Sequence, residues 1–315
     1  LNVVEALLGR RDDVVVLGDG EFPAYPRRVF DALPGSLEIV TADVSDAAAV
    51  DAAFAAHRPD AVVHAAVITA GEQRELTAFD RVVDVNIKGT ANVLAAAGTH
   101  GARKVVYVSS GSAYGEALID ADTVTEEDAA HPDTLYAITK HASERICARF
   151  SALRGLDVVC ARLGSVFGPW ERDTGVRDTL SLPFQIFRRA AAGEEVVLPR
   201  REARRDWVYS RDVASGIVRL LDARMLEHRL YNLSSGVRWH GFAERCCVEL
   251  KAAWPQLTHR VAGETETPNV SFLGPRDRAI MSIARISDVG YRTAFHERNA
   301  HADYVAWLKR HRAYY

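Results

Sequence analysis

The chain has 315 residues, 48% hydrophobic and 26% charged, which is the composition of a globular protein with a large core. Its net charge of −3 gives no reason to expect a nucleic acid partner or an anionic membrane, and no run of about 18 apolar residues could span a bilayer. No secretory leader is readable, and the four cysteines form no C-x-x-C pair that would indicate a zinc site. We therefore expect a reduced, cytoplasmic protein without a metal.

Predicted strands and helices alternate through the first 163 residues. A helix over residues 1–8 comes first, and Ser45 is the predicted N-cap of an alanine-rich helix with Asp46 in its first turn. Because such a chain should not begin on a crossover helix, we expect a strand and loop of about 12 residues upstream of Leu1. The predicted strands are apolar or β-branched segments at residues 11–17, 37–40, 61–66, 104–109 and 156–161.

Two further helices complete this part, one over residues 79–99 and one that begins at Asp133 or Thr134. Beyond residue 163 the pattern is looser. It consists of a Gly- and Pro-rich loop, a helix at 180–192, a strand edge and helix at 207–221, a strand at 230–233, and mainly helical structure from His240 to a final helix near 302–312.

Strands that alternate with helices predict an α/β fold, here a doubly wound parallel sheet of the Rossmann type with a smaller, mainly helical substrate lobe. We expect residues 1–163 to form a dinucleotide-binding domain that lacks its first strand and glycine loop, with residues 205–236 returning to it. Residues 164–204 and 237–315 are then the substrate-binding lobe.

The candidate catalytic residues lie on the helix after the fourth predicted strand. Tyr136 and Lys140 are four apart and so share one helix face, where the ammonium favours the phenolate form of the tyrosine. Such a phenol can exchange a proton with a sugar or alcohol oxygen. Ligands of doubly wound sheets bind beyond the carboxyl ends of the strands, where Ser110 and Ser112 follow residues 104–109. An exposed Tyr-Lys pair and serines that only satisfy loop backbone are the alternatives.

A series of motifs runs in one order over most of the chain: V-V-H-A-A (62–66), D-V-N-I-K-G-T (84–90), V-S-S-G-S-A-Y-G (108–115), Y-x-x-x-K (136–140), R-D-W-V-Y-S-R-D-V-A (205–214) and Y-N-L-S-S-G (231–236). In these the chain resembles the extended short-chain dehydrogenases/reductases, the group that contains NAD-dependent nucleotide-sugar epimerases and dehydratases. The resemblance implies a small-molecule sugar or nucleotide-sugar substrate. It also implies a homodimer packed through the helices that carry Asn86 and Tyr136.

The resemblance assigns roles to individual residues. Tyr136 is the expected acid/base, Lys140 binds the nicotinamide ribose and lowers the tyrosine pKa, and Ser110 hydrogen-bonds the reacting oxygen. Asn86 supports the site from the neighbouring helix, and His64 is interpreted as structural. The remaining positions belong to the cofactor, with Asp43 and Val44 beside the adenine and Ala65 and Ala66 along its path.

The glycine-rich loop of this family is absent, and its place would be immediately before Leu1. Without it no backbone approaches the pyrophosphate closely, so either the true N-terminus is missing, which we favour, or the chain is a non-catalytic remnant. Asp19 occupies the position that binds the ribose, and a carboxylate there prefers NAD to NADP. Arg27 and Arg28 argue in the opposite direction, so NADP remains possible.

The residues that follow Ser110 indicate which of the family's reactions the chain can catalyse. Sugar dehydratases carry an Asp-Glu pair there and decarboxylases carry a glutamate, whereas this chain has Gly111 and Ser112. Dehydration and decarboxylation are therefore disfavoured. We expect epimerisation through a keto intermediate, with an NAD(P)-dependent sugar or sugar-acid dehydrogenase as the first alternative and a non-catalytic cofactor-binding protein as the second.

The substrate side gives mixed signals. Arg205 matches an arginine that binds the diphosphate of nucleotide sugars, and Arg276 or Arg278 would be its companion. Ser165, however, replaces the asparagine that usually contacts the nucleotide sugar in this family. This replacement leaves room for a free sugar or a sugar acid. Together with Ser110 and Ser112, these residues form the expected substrate site.

Overall fold

The computed structural model describes residues 1–119, 121–175, 177–272 and 276–315. Within these ranges every strand pairing is parallel. The strands are β1 (Asp13–Gly18), β2 (Ser36–Thr41), β3 (Ala61–His64), β4 (Lys104–Ser110), β5 (Thr123–Val124), β6 (Asp157–Leu163), β7 (Ser165–Phe167), β8 (Val196–Leu198), β9 (Trp207–Tyr209), β10 (Leu230–Leu233), β11 (His259–Val261) and β12 (Ile280–Met281).

Helices lie between most pairs of consecutive strands, as expected for the predicted doubly wound fold. They are α1 (Asn2–Gly9), α2 (Ala24–Phe30), α3 (Ala47–His57), α4 (Glu72–Thr77), α5 (Phe79–Val83), α6 (Gly89–Thr99), α7 (Leu135–Arg154), α8 (Leu182–Ala192), α9 (Ser210–Asp222), α10 (Phe242–Lys251), α11 (Ala284–Asp288) and α12 (Glu297–Arg310). Each helix in the described part of the chain is too short or too polar to cross a membrane.

The largest sheet has four strands in the order β10-β6-β4-β3, and β1 pairs with β2 in a separate two-stranded sheet. Val105, Val106 and Val159 are fully buried, as expected for strands covered by helices on both faces. Because the strands are parallel, their carboxyl ends share one edge, where Ser110 of β4 lies beside Leu163 of β6. This edge positions the site described below.

The helix predicted over residues 79–99 contains a π-helical turn at Asp84–Lys88, between α5 and α6. The backbone carbonyl of Asn86 in this turn accepts hydrogen bonds from the hydroxyls of Thr90 and Ser143, at 2.7 and 2.9 Å. A π-turn cannot be read from the apolar spacing because it inserts one residue into an otherwise regular pattern. The turn places Asn86 against α7.

Two predicted details are wrong. Asp46, rather than Ser45, caps α3. The Asp46 carboxylate accepts hydrogen bonds from the backbone N–H groups of Ala48 and Ala49. The Ser45 hydroxyl instead donates a hydrogen bond to Asp43. The mainly helical structure expected after residue 240 also contains the short strands β11 and β12. These strands pair with β8 and β5, partners that are distant in sequence and therefore invisible to local patterns. At α7 the cap is Thr134, one of the two residues proposed.

An aromatic core fills the space between α8, α10, α12 and the strands β7 and β9. Phe167 is its centre, with its ring 5.1 Å from Phe242 and 5.3 Å from Tyr209, and the rings of Trp207 and Phe242 stack at 4.0 Å. Rings that are packed edge to face and stacked bury large apolar areas in specific orientations. This core fixes the loops that reach the carboxyl edge of the main sheet.

Candidate active site

Ser110 ends β4 at the carboxyl edge of the sheet. Its hydroxyl oxygen accepts a hydrogen bond from the Ser112 backbone N–H at 3.1 Å and so caps the short 3₁₀ turn that follows. Gly111 lies against a side chain from β12, since a Cβ at this position would be 2.9 Å from the Met281 sulfur. A larger residue at position 111 would therefore require the Met281 side chain to shift.

Tyr136 lies in the first turn of α7, near the side chains of Ser110 and Thr69. Burial raises the pKa of Tyr136 above its ordinary value, because the charged form is the harder one to desolvate. The polar side chains of Ser110 and Thr69 and the positive charges of Arg177 and Arg278 oppose this rise. Sequence reasoning missed Thr69 and Arg177, which come from two loops joined by a β-bridge between their backbones.

Lys140 is buried one turn further along α7. Its ammonium donates a hydrogen bond to the Val108 carbonyl at 2.6 Å and lies 4.9 Å from the centre of the Tyr107 ring. Burial lowers the pKa of Lys140 to about 8, and the nearby Glu144 carboxylate opposes that shift. The groups that most strongly influence the pKa of the Tyr136 phenol are Ser110, Arg177, Thr69 and Arg278 rather than this ammonium. The expected effect of Lys140 on the tyrosine stays a prediction.

Asn86 joins the loop after β3 to α7. Its side-chain amide exchanges hydrogen bonds with the backbone N–H and carbonyl of Ile68, at 2.8 and 3.0 Å, and donates to the Thr139 hydroxyl at 2.9 Å. The Thr139 hydroxyl in turn donates to the Tyr136 carbonyl at 2.9 Å. Asn86 thus supports the first turn of α7 through Thr139.

A buried ion pair beneath the site was not predicted. Glu144 on α7 accepts two hydrogen bonds from Arg162 on β6, at 2.9 and 2.6 Å, and one from the Ser109 hydroxyl at 2.5 Å. The glutamate is 6% exposed and the arginine 3%. Burial alone would raise the pKa of the Glu144 carboxyl, but hydrogen bonds from Arg162 leave it below its ordinary value. The sequence offered one sign that Glu144 lies near the site: it is four residues after Lys140, so the two side chains share one face of the helix.

His64 ends β3 in a buried position. Its Nε2 atom lies 3.0 Å from the Thr90 hydroxyl, and burial together with the Lys140 charge lowers its pKa to about 3. The imidazole is therefore neutral at physiological pH and its ring packs near Tyr107. These contacts support a structural role.

The residues expected to contact the adenosine lie at the carboxyl ends of β1 and β2. Asp19 follows β1 and Asp43 follows β2, and the guanidinium of Arg81 contacts both carboxylates, at 3.3 and 2.7 Å. Val44 is buried, and a Cβ at Gly89 would come within 2.7 Å of its side chain, so only glycine fits there. On the main sheet, Ala65 and Ala66 follow β3 at the same edge, the former exposed and the latter half-buried.

The residues expected to bind substrate are more dispersed. Arg205 is buried, and its guanidinium donates hydrogen bonds to the carbonyls of Phe272, Arg204 and Arg276, so it organises a loop. The Arg276 side chain is exposed and forms an ion pair with Glu116 at 2.8 Å. The structure therefore directs Arg205 toward backbone carbonyls, and its proposed contact with a diphosphate stays a prediction.

Ser165 begins β7, and its backbone N–H donates to the Asp206 carbonyl at 2.6 Å. Ser112 lies in the turn after Ser110. Neither serine is among the groups that act on Tyr136 most strongly. Within the described ranges, no three His, Cys, Asp or Glu side chains are placed to hold a metal ion.

Comparison with known proteins gives one family match. Residues 1–234 match the model of the NAD dependent epimerase/dehydratase family. The chain is 30% identical over 182 residues to the GDP-6-deoxy-D-mannose reductase of Pseudomonas aeruginosa, covering 56% of this chain and 58% of that protein. It is 28% identical over 239 residues to the dTDP-L-rhamnose 4-epimerase of Burkholderia thailandensis, covering 65% and 64%.

The matched segments thus span between 40% and 64% of the first four curated relatives. Among solved structures, the UDP-glucose 4-epimerase of Thermus thermophilus in complex with NAD superimposes with a TM-score of 0.79 at 23% identity, covering 98% of this chain and 94% of that one. The UDP-glucose 4-epimerase of Thermotoga maritima gives a TM-score of 0.79 at 20% identity, with the same coverage. These likenesses establish the fold.

Proposed function

The chain belongs to the NAD-dependent epimerase/dehydratase family, and on this premise we propose that it epimerises a sugar or nucleotide sugar through a keto intermediate. One observation carries the proposal: Tyr136 in the first turn of α7 faces Ser110 at the carboxyl end of β4, and the side chains of Ser110 and Thr69 both lower the pKa of its phenol. A phenol and a hydroxyl held together at the edge of a doubly wound sheet can act on a single carbinol group.

The described residues fit NAD at both of its ends. Asp19 and Asp43 supply carboxylates where the adenosine would lie, and Lys140 is positioned on the helix face below Tyr136 for the nicotinamide ribose. In this chain, α1 corresponds to the helix that follows the glycine-rich loop in the family. Bound NAD supplies the acceptor that takes a hydride from the carbinol carbon and returns it.

The chain itself handles the proton. Tyr136 as phenolate removes the proton of the substrate hydroxyl, while Ser110 donates a hydrogen bond to the same oxygen. The positive charges of Arg177 and Arg278 favour this phenolate, against the burial that disfavours it. After the keto intermediate turns over, Tyr136 returns the proton to the oxygen and the opposite epimer forms.

The environment of Gly111 favours epimerisation over dehydration. No carboxylate follows Ser110, since Gly111 and Ser112 stand there, and a larger residue at position 111 would come within 2.9 Å of the Met281 sulfur. A sugar or sugar-acid dehydrogenase is the second candidate. It is supported by the replacement of the nucleotide-contacting asparagine by Ser165 and by the carbonyl contacts that occupy Arg205.

We also propose the domain division and the dimer as part of this function. Strand β10 pairs with β6, which supports the return of residues 205–236 to the dinucleotide-binding domain. Ile138 and Leu153 on α7 are apolar and exposed, which supports a homodimer packed through that helix and α6. Light scattering of wild type and Ile138→Asp tests the dimer: the variant should be monomeric, and an unchanged mass contradicts this interface.

The test of function incubates the purified protein with NAD and a panel of nucleotide sugars, free sugars and sugar acids. An epimerase converts its substrate to an epimer, detected by NMR, without net growth of the reduced-nicotinamide absorbance. Stoichiometric growth of that absorbance would instead identify a dehydrogenase. Tyr136→Phe should abolish turnover and leave NAD affinity nearly unchanged, and a variant that keeps the wild-type rate overturns the proposed chemistry.

A further inference from the structure

The two carboxylates on the adenosine side are joined by a residue to which neither the motifs nor the family match gives a role. Arg81 belongs to α5, far in sequence from β1 and β2. Its Nη1 atom lies 2.7 Å from the Asp43 carboxylate and 3.1 Å from the Ser45 hydroxyl, and its Nη2 atom lies 3.3 Å from Asp19. One planar guanidinium thus spans two carboxylates, a geometry that the point charge of a lysine would not reproduce.

The Asp43 end of this bridge is fixed. The second oxygen of Asp43 accepts hydrogen bonds from the backbone N–H and the hydroxyl of Ser45, both at 2.8 Å. Arg81 therefore extends from an anchored carboxylate toward Asp19, which is 65% exposed. In the described part of the chain, this contact is the one hydrogen bond that restrains the Asp19 side chain.

The charges decide which cofactor such a site accepts. Two carboxylates and one guanidinium leave a net charge of −1, which suits a ribose 2′-hydroxyl as donor and repels a 2′-phosphate. To bind a phosphate, Arg81 would have to leave Asp43, its closest partner. A bound ribose, by contrast, leaves the bridge intact and uses an oxygen of Asp19 that the guanidinium does not contact.

We propose that Arg81 is a positioning residue that holds Asp19 and Asp43 in place for the adenosine of the cofactor, while the two carboxylates themselves set the preference for NAD over NADP. The inference rests on the proposed function, since it requires that the chain bind a nicotinamide dinucleotide. Arg81 does not itself contact the reacting atoms. Its effect is on cofactor affinity rather than on proton transfer or on the choice between NAD and NADP.

The test measures binding of NADH and NADPH to the full chain by fluorescence titration. Arg81→Gln should raise the Kd for NADH about tenfold, since a charge-assisted hydrogen bond that orients the acceptor is lost, and should raise the Kd for NADPH at least as much. The matched control is Arg211→Gln, because the Arg211–Asp303 pair is 36% and 29% exposed and the Arg81–Asp43 pair 39% and 34%. That control should leave both affinities unchanged.

A double-mutant cycle separates positioning from general loss of structure. In an Asp19→Asn background, Arg81→Gln should weaken NADH less than it does in the wild type, because one of its two partners has already been changed. An unchanged NADH affinity in Arg81→Gln overturns the inference, as does a loss confined to NADPH, which would make Arg81 a phosphate ligand. A wild-type chain that binds neither dinucleotide contradicts the proposed function and this inference together, whereas the other outcomes leave the function standing.

Discussion

Glu144→Gln tests the buried ion pair between α7 and β6. The substitution removes the charge that neutralises the Arg162 guanidinium, and both side chains are more than nine-tenths buried. Breaking a buried pair by changing one partner costs about 3–5 kcal/mol, and since glutamine retains one acceptor oxygen we expect about 3 kcal/mol. With a urea dependence of about 3 kcal/mol/M for a chain of this size, the midpoint of unfolding should fall by about 1 M.

The assay is urea unfolding followed by circular dichroism, and two further variants make the result interpretable. Glu266→Gln breaks an equally bidentate but exposed pair with Arg260, so its midpoint should stay close to the wild type. Replacing both buried partners, in Glu144→Leu/Arg162→Met, should be less destabilising than Glu144→Gln alone, because no uncompensated charge remains. A Glu144→Gln midpoint within about 0.2 M of the wild type, roughly 0.6 kcal/mol, would refute the reasoning.

Three other variants probe the site. Arg278→Gln removes a positive charge that lowers the pKa of Tyr136, so the limb of the pH–rate profile on which activity rises with pH should shift to higher pH, and an unshifted limb contradicts this role. Gly111→Asp should destabilise the fold, measured as a lower Tm, because its Cβ would lie 2.9 Å from the Met281 sulfur, and a wild-type Tm would show that the space exists. Asn86→Ala should cost roughly 3 kcal/mol in urea unfolding, because it leaves the buried backbone groups of the loop after β3 without partners, and an unchanged midpoint would remove its supporting role.

The sequence predicts the main sheet well because its strands carry their signal locally. The strand predicted at residues 230–233 is observed as Leu230–Leu233, and the strand predicted at 104–109 ends one residue later, at Ser110. A buried parallel strand such as residues 104–110 is a short run rich in apolar, often β-branched, residues, and that composition needs no knowledge of its neighbours. Several of the motif matches also lie at strand ends, among them those at residues 62–66, 108–115 and 231–236.

The groups around Tyr136 could not be predicted in the same way. Arg177 reaches the site because its backbone bridges to Thr69, more than a hundred residues earlier, and no local pattern encodes such a contact. Arg205 shows the opposite case. A match to a motif located it, but the direction of a guanidinium depends on which carbonyls surround it in the folded protein. Sequence reasoning places residues on elements, while the direction of a long side chain depends on tertiary packing.

One helical stretch, from α5 through the π-turn to α6, connects the two halves of the candidate site. Arg81 at its beginning contacts the adenosine-side carboxylates, Asn86 in the π-turn supports the helix of Tyr136, and Asn92 in α6 donates to the Val44 carbonyl at 2.9 Å. On the proposed function, these side chains position the adenosine side of the site relative to the Tyr136 phenol. A change in the π-turn should therefore alter cofactor affinity and turnover together. Arg81→Gln, which acts at only one end of the stretch, should alter cofactor affinity alone.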